Sequence, residues 1–250
     1  MTTRTDTTMP ESCSFQPLFL LSTHQYRECT VAFPCTLLFY EFYASQEHLS
    51  YIPNGSMDFL IQEAGPQSFF LHPYAALEQI PCVPGIRYFG VRFPSGMLPN
   101  RHFQSEFYVS GILKLASFSE RAAWFCDNFQ PERQTATPSE PVRNIIDAIC
   151  SSQGTLSIHE LSSMLCYSER HVHRLFLGHM GYSPKHYSRI IRFRSALEEM
   201  ITAPGKNISD YIRNLGYSDQ AHFQREFKAF TGLTPKQFNN LHLNRSNAGS

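Results

Sequence analysis

The sequence predicts an α+β chain in two parts, a β-rich front domain with helices at its end and an all-helical back domain. Three observations carry this reading. Short aromatic-rich stretches broken by Pro and Gly fill the front half. Apolar residues at helical spacing take over from Val142. A helical unit then recurs at an offset of 50 to 51 residues.

With 250 residues, 42% hydrophobic and 17% charged, the composition is that of a globular chain, neither disordered nor fibrous. No apolar run approaches the roughly 20 residues of a membrane-spanning helix, so no membrane association is expected. Met1–Glu11 is Thr-rich and lacks a basic-then-apolar leader. Residues 1–14 are therefore expected to be a flexible tail on a cytoplasmic protein.

Residues 15–130 form the expected β-rich domain. Cys35–Phe42, Phe59–Gln62, Phe69–His72 and Tyr88–Phe93 read as strands, and Ile52–Asp58 and Phe93–Gly96 as turns beside them. Asp58 and Arg92 lie in apolar strand contexts; they pair with each other or anchor a polar ligand, with pairing the favoured alternative. Ile112–Phe129 turns helical, as one or two helices, and its Trp124–Phe129 stripe is a candidate homodimer face. The seven cysteines are odd in number and contain no CxxC pair, which predicts reduced, mostly buried thiols. His24, His48, His72 and His102 form no HxH or HExxH cluster, and no phosphate loop or GxSxG elbow is present. No catalytic residue, metal or cofactor is expected.

Gln130–Pro141 (QPERQTATPSEP) has three prolines and no large apolar residue, so residues 131–140 read as a linker. The back domain, 141–242, opens with a helix carrying Val142, Ile145, Ile146 and Ile149 and closed by Gly154. Ser157-x-x-Glu160 is a capping box that starts the next helix. Residues 243–250 are expected to be a tail.

The repeat follows. Tyr167–Leu177 (YSERHVHRLFL) and Tyr217–Lys228 (YSDQAHFQREFK) pair Arg174 with Arg225, Phe176 with Phe227, Gly181 with Gly232, and Pro184-Lys185 with Pro235-Lys236. The offset is 50 before the turn and 51 after it, so the second turn is one residue longer. Ser168 and Ser218 are expected N-caps, Gly181 and Gly232 left-handed stops, and Ser183-Pro184 and Thr234-Pro235 fresh helix starts. A short helix precedes each longer one, with Gly216 permitting the second tight turn. The pattern is helix-turn-helix, twice.

Val172, Leu175 and Phe176 in the first unit, and Phe223, Phe227 and Phe230 in the second, make buried faces. The opposite faces carry Arg170, His173 and Arg174, then Gln220, Ala221, Gln224, Arg225 and Lys228, with His222 near the edge. Arg, Gln and His supply donors suited to base edges, and Lys228 suits a phosphate. Pro184–Met200 reads as one connecting helix on which Arg189, Arg192 and Arg194 serve either solubility or phosphate contact. The net charge of zero divides unevenly. Residues 140–242 hold 12 basic and 9 acidic side chains, a surplus of three, and residues 1–139 hold 8 and 12. Phosphate binding must then come from placement more than bulk charge.

Residues 141–240 resemble the DNA-binding domain of the AraC/XylS family, most closely over Ile208…Gly216-Tyr217-Ser218…Phe223…Arg225…Phe227-Lys228…Gly232…Thr234-Pro235…Phe238. The resemblance implies seven helices, two recognition helices and an asymmetric duplex site. Ile212 stands where that family has Ala, Leu177-Gly178 replaces a basic pair, and Asn239 replaces Arg. The turns at Ile52–Asp58 and Gly90–Gly96 are similar to a sensor domain found ahead of such domains, which implies a cupin-like or related barrel; Asn54 stands where Asp is expected. The implied partners are promoter DNA, a small-molecule effector, RNA polymerase if the protein activates, and a second copy of the chain. Two alternatives carry other features: control without a ligand, through abundance or a protein partner, favoured if side chains close the front-domain pocket, and an enzyme fused to the module. Pro34-Cys35-Thr36 and Pro81-Cys82-Val83 do not supply the reactive setting the latter needs.

Overall fold

The computed structural model describes residues 23–32, 35–65, 67–72, 77–202 and 208–248. The expected tail at 1–14 lies outside the described residues. The front half contains β1 (Thr23–Val31), β2 (Leu37–Ala44), β3 (His48–Tyr51), β4 (Asp58–Gln62), β5 (Gln67–Leu71), β6 (Glu78–Pro81), β7 (Arg87–Arg92) and β8 (Leu98–Pro99). Helices α1 (Ser105–Ile112), α2 (Phe118–Asn128) and α3 (Pro131–Gln134) and the short β9 (Thr135–Ala136) follow. Seven helices complete the described chain: α4 (Glu140–Ser151), α5 (Ile158–Met164), α6 (Glu169–Met180), α7 (Pro184–Thr202), α8 (Ile208–Asn214), α9 (Gln220–Thr231) and α10 (Pro235–Ala248).

One antiparallel sheet runs β1-β2-β7-β4-β5, and β3 pairs with β6. Phe39, Phe59, Phe89 and Val91 bury one face of the large sheet against Tyr108, Ile112, Phe118 and Phe125 of α1 and α2. Tyr40, Phe42, Leu60 and Tyr88 bury the other against Leu49, Tyr51 and Ile80 of β3 and β6. Burial on both faces explains why β2 reads as a continuous apolar run rather than an alternation. Side chains fill the space between the large sheet and the β3-β6 pair. Tyr40 lies over Gly90, where a Cβ would meet its ring at 2.1 Å.

Asp58 and Arg92 face each other across β4 and β7, both almost fully buried, with Nε and Nη2 donating at 2.8 and 2.7 Å. They pair, as favoured. Arg121, also buried, donates to Glu41 at 2.6 Å and to the Leu115 carbonyl, tying α2 to β2.

Several expectations are corrected. The helical segment is two helices, one of the two expected alternatives, but it starts earlier, at Ser105; Ser117 and Glu120 form the capping box that opens α2. Phe125 and Phe129 of the proposed dimer stripe are buried in the core, leaving Trp124 half-buried against Gly111. The apolar surface left there is Trp124 with the exposed Phe107 beside it, ring centroids 5.3 Å apart. Within 131–140, β9 pairs with β8, and Thr135 is buried. Helix α10 runs into the expected tail, since no Gly or Pro follows Pro235 before Gly249. Among the described cysteines none is bonded to another; Cys82 is buried, Cys166 exposed and the others half-buried, so fewer are buried than expected. Burial pushes the Cys35 and Cys126 thiols up to about 11, which leaves little thiolate at neutral pH. Among the described residues no helix is long and apolar enough to cross a membrane, and no group of three His, Cys, Asp or Glu is placed to hold a metal.

Candidate nucleic-acid interface

Each unit is built by capping chemistry. In the first, the Ser157–Glu160 capping box opens α5, and Ser168 caps α6 by accepting from the His171 amide. In the second, the cap is Asp219, not Ser218. Asp219 accepts from the His222 amide at 2.7 Å, and that bond with the Ser218 hydroxyl holds its carboxyl below the ordinary value. The reason is the extra residue: the Ser168 role shifts by 51 positions to Asp219, and Ser218 is the insertion. Both long helices end on left-handed glycines, Gly181 (φ 79°) and Gly232 (φ 73°).

The tight turns differ in chemistry. Gly216 takes φ 69°, whereas its counterpart fifty residues earlier is Cys166 at φ 56°. A side chain in that region costs roughly 1–2 kcal/mol, partly offset by the smaller unfolded-state entropy of a non-glycine residue. Cys166→Gly is therefore expected to raise stability by several tenths to about 1 kcal/mol. Urea unfolding of the two proteins measures this, and an unchanged or lowered midpoint would contradict it.

Val172, Phe176, Phe223, Phe227 and Phe230 are buried as expected, with Leu175 partly so. Arg170, His173 and Arg174 on α6 are exposed, as are Gln220, Ala221, Gln224, Arg225 and Lys228 on α9; His222 is half-buried. Arg174 donates to His171 Nδ1 at 3.0 Å, which steadies the guanidinium without hiding it. Leu177 is an exposed apolar residue where a basic one was expected.

Helix α7, with 19 residues, is about 28 Å long and holds the units apart. Its three arginines separate in role. Arg194 is buried and donates to the Asn54 carbonyl at 2.8 Å, so it serves neither solubility nor phosphate. Arg189 donates to Glu226 at 2.8 Å, and Arg192 lies 3.7 Å from the same carboxylate.

Sequence reasoning missed how the front half docks. Ile52 joins the helical core, Gly55 (φ 79°) abuts Tyr187, Gly96 (φ 84°) abuts Ile146, and His179 of α6 lies 2.6 Å from the Gly96 carbonyl. The two turns singled out in the sequence are therefore the docking surface. Their glycines were the available signal, since each allows both a left-handed turn and close approach. Asn54 shapes the first turn by accepting from the Ser56 amide and the Tyr51 hydroxyl, work an Asp would also do.

Two such units on one rigid helix define the helix-turn-helix class. Residues 161–240 match the model of a helix-turn-helix domain. An uncharacterized HTH-type transcriptional regulator of Staphylococcus aureus strain MSSA476 is 35% identical over 83 residues, 33% of this chain but 11% of the relative. The bifunctional transcriptional activator/DNA repair enzyme Ada of Escherichia coli K12 is 28% identical over 115 residues, 45% of this chain and 32% of Ada. The chain thus spans a third or less of the length of these relatives. The structure of ToxT from Vibrio cholerae aligns over 86% of this chain and 98% of its own, at 9% identity and a TM-score of 0.47. Residues 161–240 are a helix-turn-helix domain.

Proposed function

We propose that this protein is a sequence-specific, DNA-binding transcription regulator acting on promoter DNA in the cytoplasm. The observation that carries the reading is the duplicated helix-turn-helix, each copy exposing Arg, Gln or His opposite a buried apolar stripe. Arg170, His173 and Arg174 would read one half of the site; Gln220, Ala221, His222, Gln224 and Arg225 would read the other, with Lys228 on phosphate. About 28 Å of connecting helix suits two successive major grooves, which lie roughly 34 Å apart.

The test is selection of duplexes from a random pool with the full chain, followed by affinities at fixed salt. Arg174→Ala and Arg225→Ala are each expected to lose about 1–3 kcal/mol on the selected site and to relax base preference in different halves. Both residues are exposed, so the fold should hold. Affinities equal to the parent protein for both variants would remove this assignment.

A small-molecule effector in the front half was the expectation. The filled interior, with Tyr40 on Gly90 and Tyr51 and Tyr88 fully buried, favours control without an internal ligand. Control would then pass through the docking surface, where Gly96 meets His179 on the first recognition helix. Thermal stabilisation of the full chain by a metabolite that acts on the front half would restore the effector reading.

A further inference from the structure

A groove of about 930 Å³ runs between the first unit's turn at 154–158, helix α7 and the second recognition helix. Its basic lining is Lys185, Arg189 and Arg192 from α7 and Arg225 from α9, against one carboxylate, Glu226. Four cations less one anion leaves three positive charges, the same as the whole surplus of residues 140–242. Four of the twelve basic side chains of residues 140–242 thus line one groove.

Glu226 organises this lining. It is 3% exposed and accepts from Arg189 Nε at 2.8 Å and from the Tyr217 hydroxyl at 3.2 Å. The 3.7 Å to Arg192 is too long for a hydrogen bond. Arg192 Nε is buried and has no acceptor among the described residues. The Arg192 guanidinium lies 4.9 Å from the Tyr217 ring centroid, which holds it at the groove wall. Lys185 is exposed and makes no ion pair among the described residues.

We propose that this groove seats backbone phosphates of the duplex segment lying between the two half-sites, with Lys185, Arg189 and Arg192 as the contacting cations and Glu226 as the residue that positions Arg189. The inference rests on the DNA-binding reading above. Phosphate contacts fix register without reading sequence, so the groove would set how the two recognition helices enter their grooves together. Free phosphate presents the same oxygens, but an open groove holding several cations gains most from a ligand carrying several linked charges, each releasing counterions.

The experiment measures affinity of the full chain for a random-sequence duplex of about 40 base pairs across a range of salt, as the slope of log K against log salt. Lys185→Gln is expected to reduce the slope by about 0.9, one phosphate's worth, with an unchanged urea midpoint. Arg189→Gln is expected to do the same, and Arg189→Lys to restore most of it. Lys114→Gln, on the front half, is the control and should leave the slope alone. Slopes equal to the parent protein for both Lys185→Gln and Arg189→Gln would overturn the proposal while the DNA-binding reading stands. A parent protein that binds no duplex at any salt would overturn both. Thermal stabilisation by inorganic phosphate that Lys185→Gln abolishes, with an unchanged duplex slope, would assign the groove to a small anion and overturn the backbone role.

Discussion

Asp58→Ala is expected to destabilise the strand-rich half by about 3–5 kcal/mol, a large share of the roughly 5–15 kcal/mol that holds an ordinary domain folded. Asp58 is fully buried and accepts three hydrogen bonds, two from Arg92 and one from the Tyr40 hydroxyl at 2.9 Å. Truncation takes from a guanidinium that is 3% exposed the carboxylate that balances its charge. Arg92 Cζ also sits 5.7 Å from the Tyr40 ring, so the charge, the ring and the carboxylate form one unit. The comparison that isolates the cause is the double variant Asp58→Leu/Arg92→Leu. Removing both charges should recover a large part of the loss, since burying a pair costs desolvation that an apolar pair does not. Urea unfolding followed by far-UV circular dichroism measures the series. A loss below about 1 kcal/mol for Asp58→Ala would mean that the buried charge finds another partner.

Gly154→Ala is expected to be the most damaging single-methyl change in the back domain, by about 3 kcal/mol or more. Gly154 has φ 71°, and a Cβ there would meet the Ser188 carbonyl oxygen at 2.1 Å and the Arg192 amide nitrogen at 2.8 Å. Both are backbone atoms inside helix α7, so no rotamer change relieves the contact. The turn after α4 would have to move off α7, taking with it Thr155 and Ser157, one wall of the cationic groove. Gly181→Ala provides the contrast. It has a similar φ of 79° but nothing within 4 Å of its Cβ position, so it should cost only the left-handed strain of roughly 1–2 kcal/mol. Equal midpoints for the two alanine variants would show that the approach of the turn to α7 is not tight in solution.

These contrasts separate what is local from what is not. The duplicated unit was legible because its signals are local: Ser168, Gly181, Gly232 and Pro235 act within a few residues of themselves, and Phe223, Phe227 and Phe230 define a face by spacing alone. The exposed faces of α6 and α9 followed as the complement of those stripes. The strands with dense apolar runs, β2, β4, β5 and β7, were visible for the same reason. Strand β1 was not. Its sequence, THQYRECTV, is mostly polar and half-exposed at a sheet edge, and it is held by pairing with β2 rather than by a pattern of its own.

By itself the sequence determined the two-part layout, the paired helix-turn-helix units and the residues on their outer faces, because periodicity and capping are short-range physics. Only the tertiary structure decided which arginine does what. Arg189, Arg192 and Arg194 lie within six positions on one helix and look alike in sequence. One meets Glu226, one lines the groove beside it, and one is buried against Asn54, which is 140 residues away. The same holds for Gly154 and Gly181, which share a backbone conformation and differ only in what lies beyond the missing Cβ. Charge pairing and close approach depend on through-space neighbours, and those are fixed only when elements distant in sequence pack together.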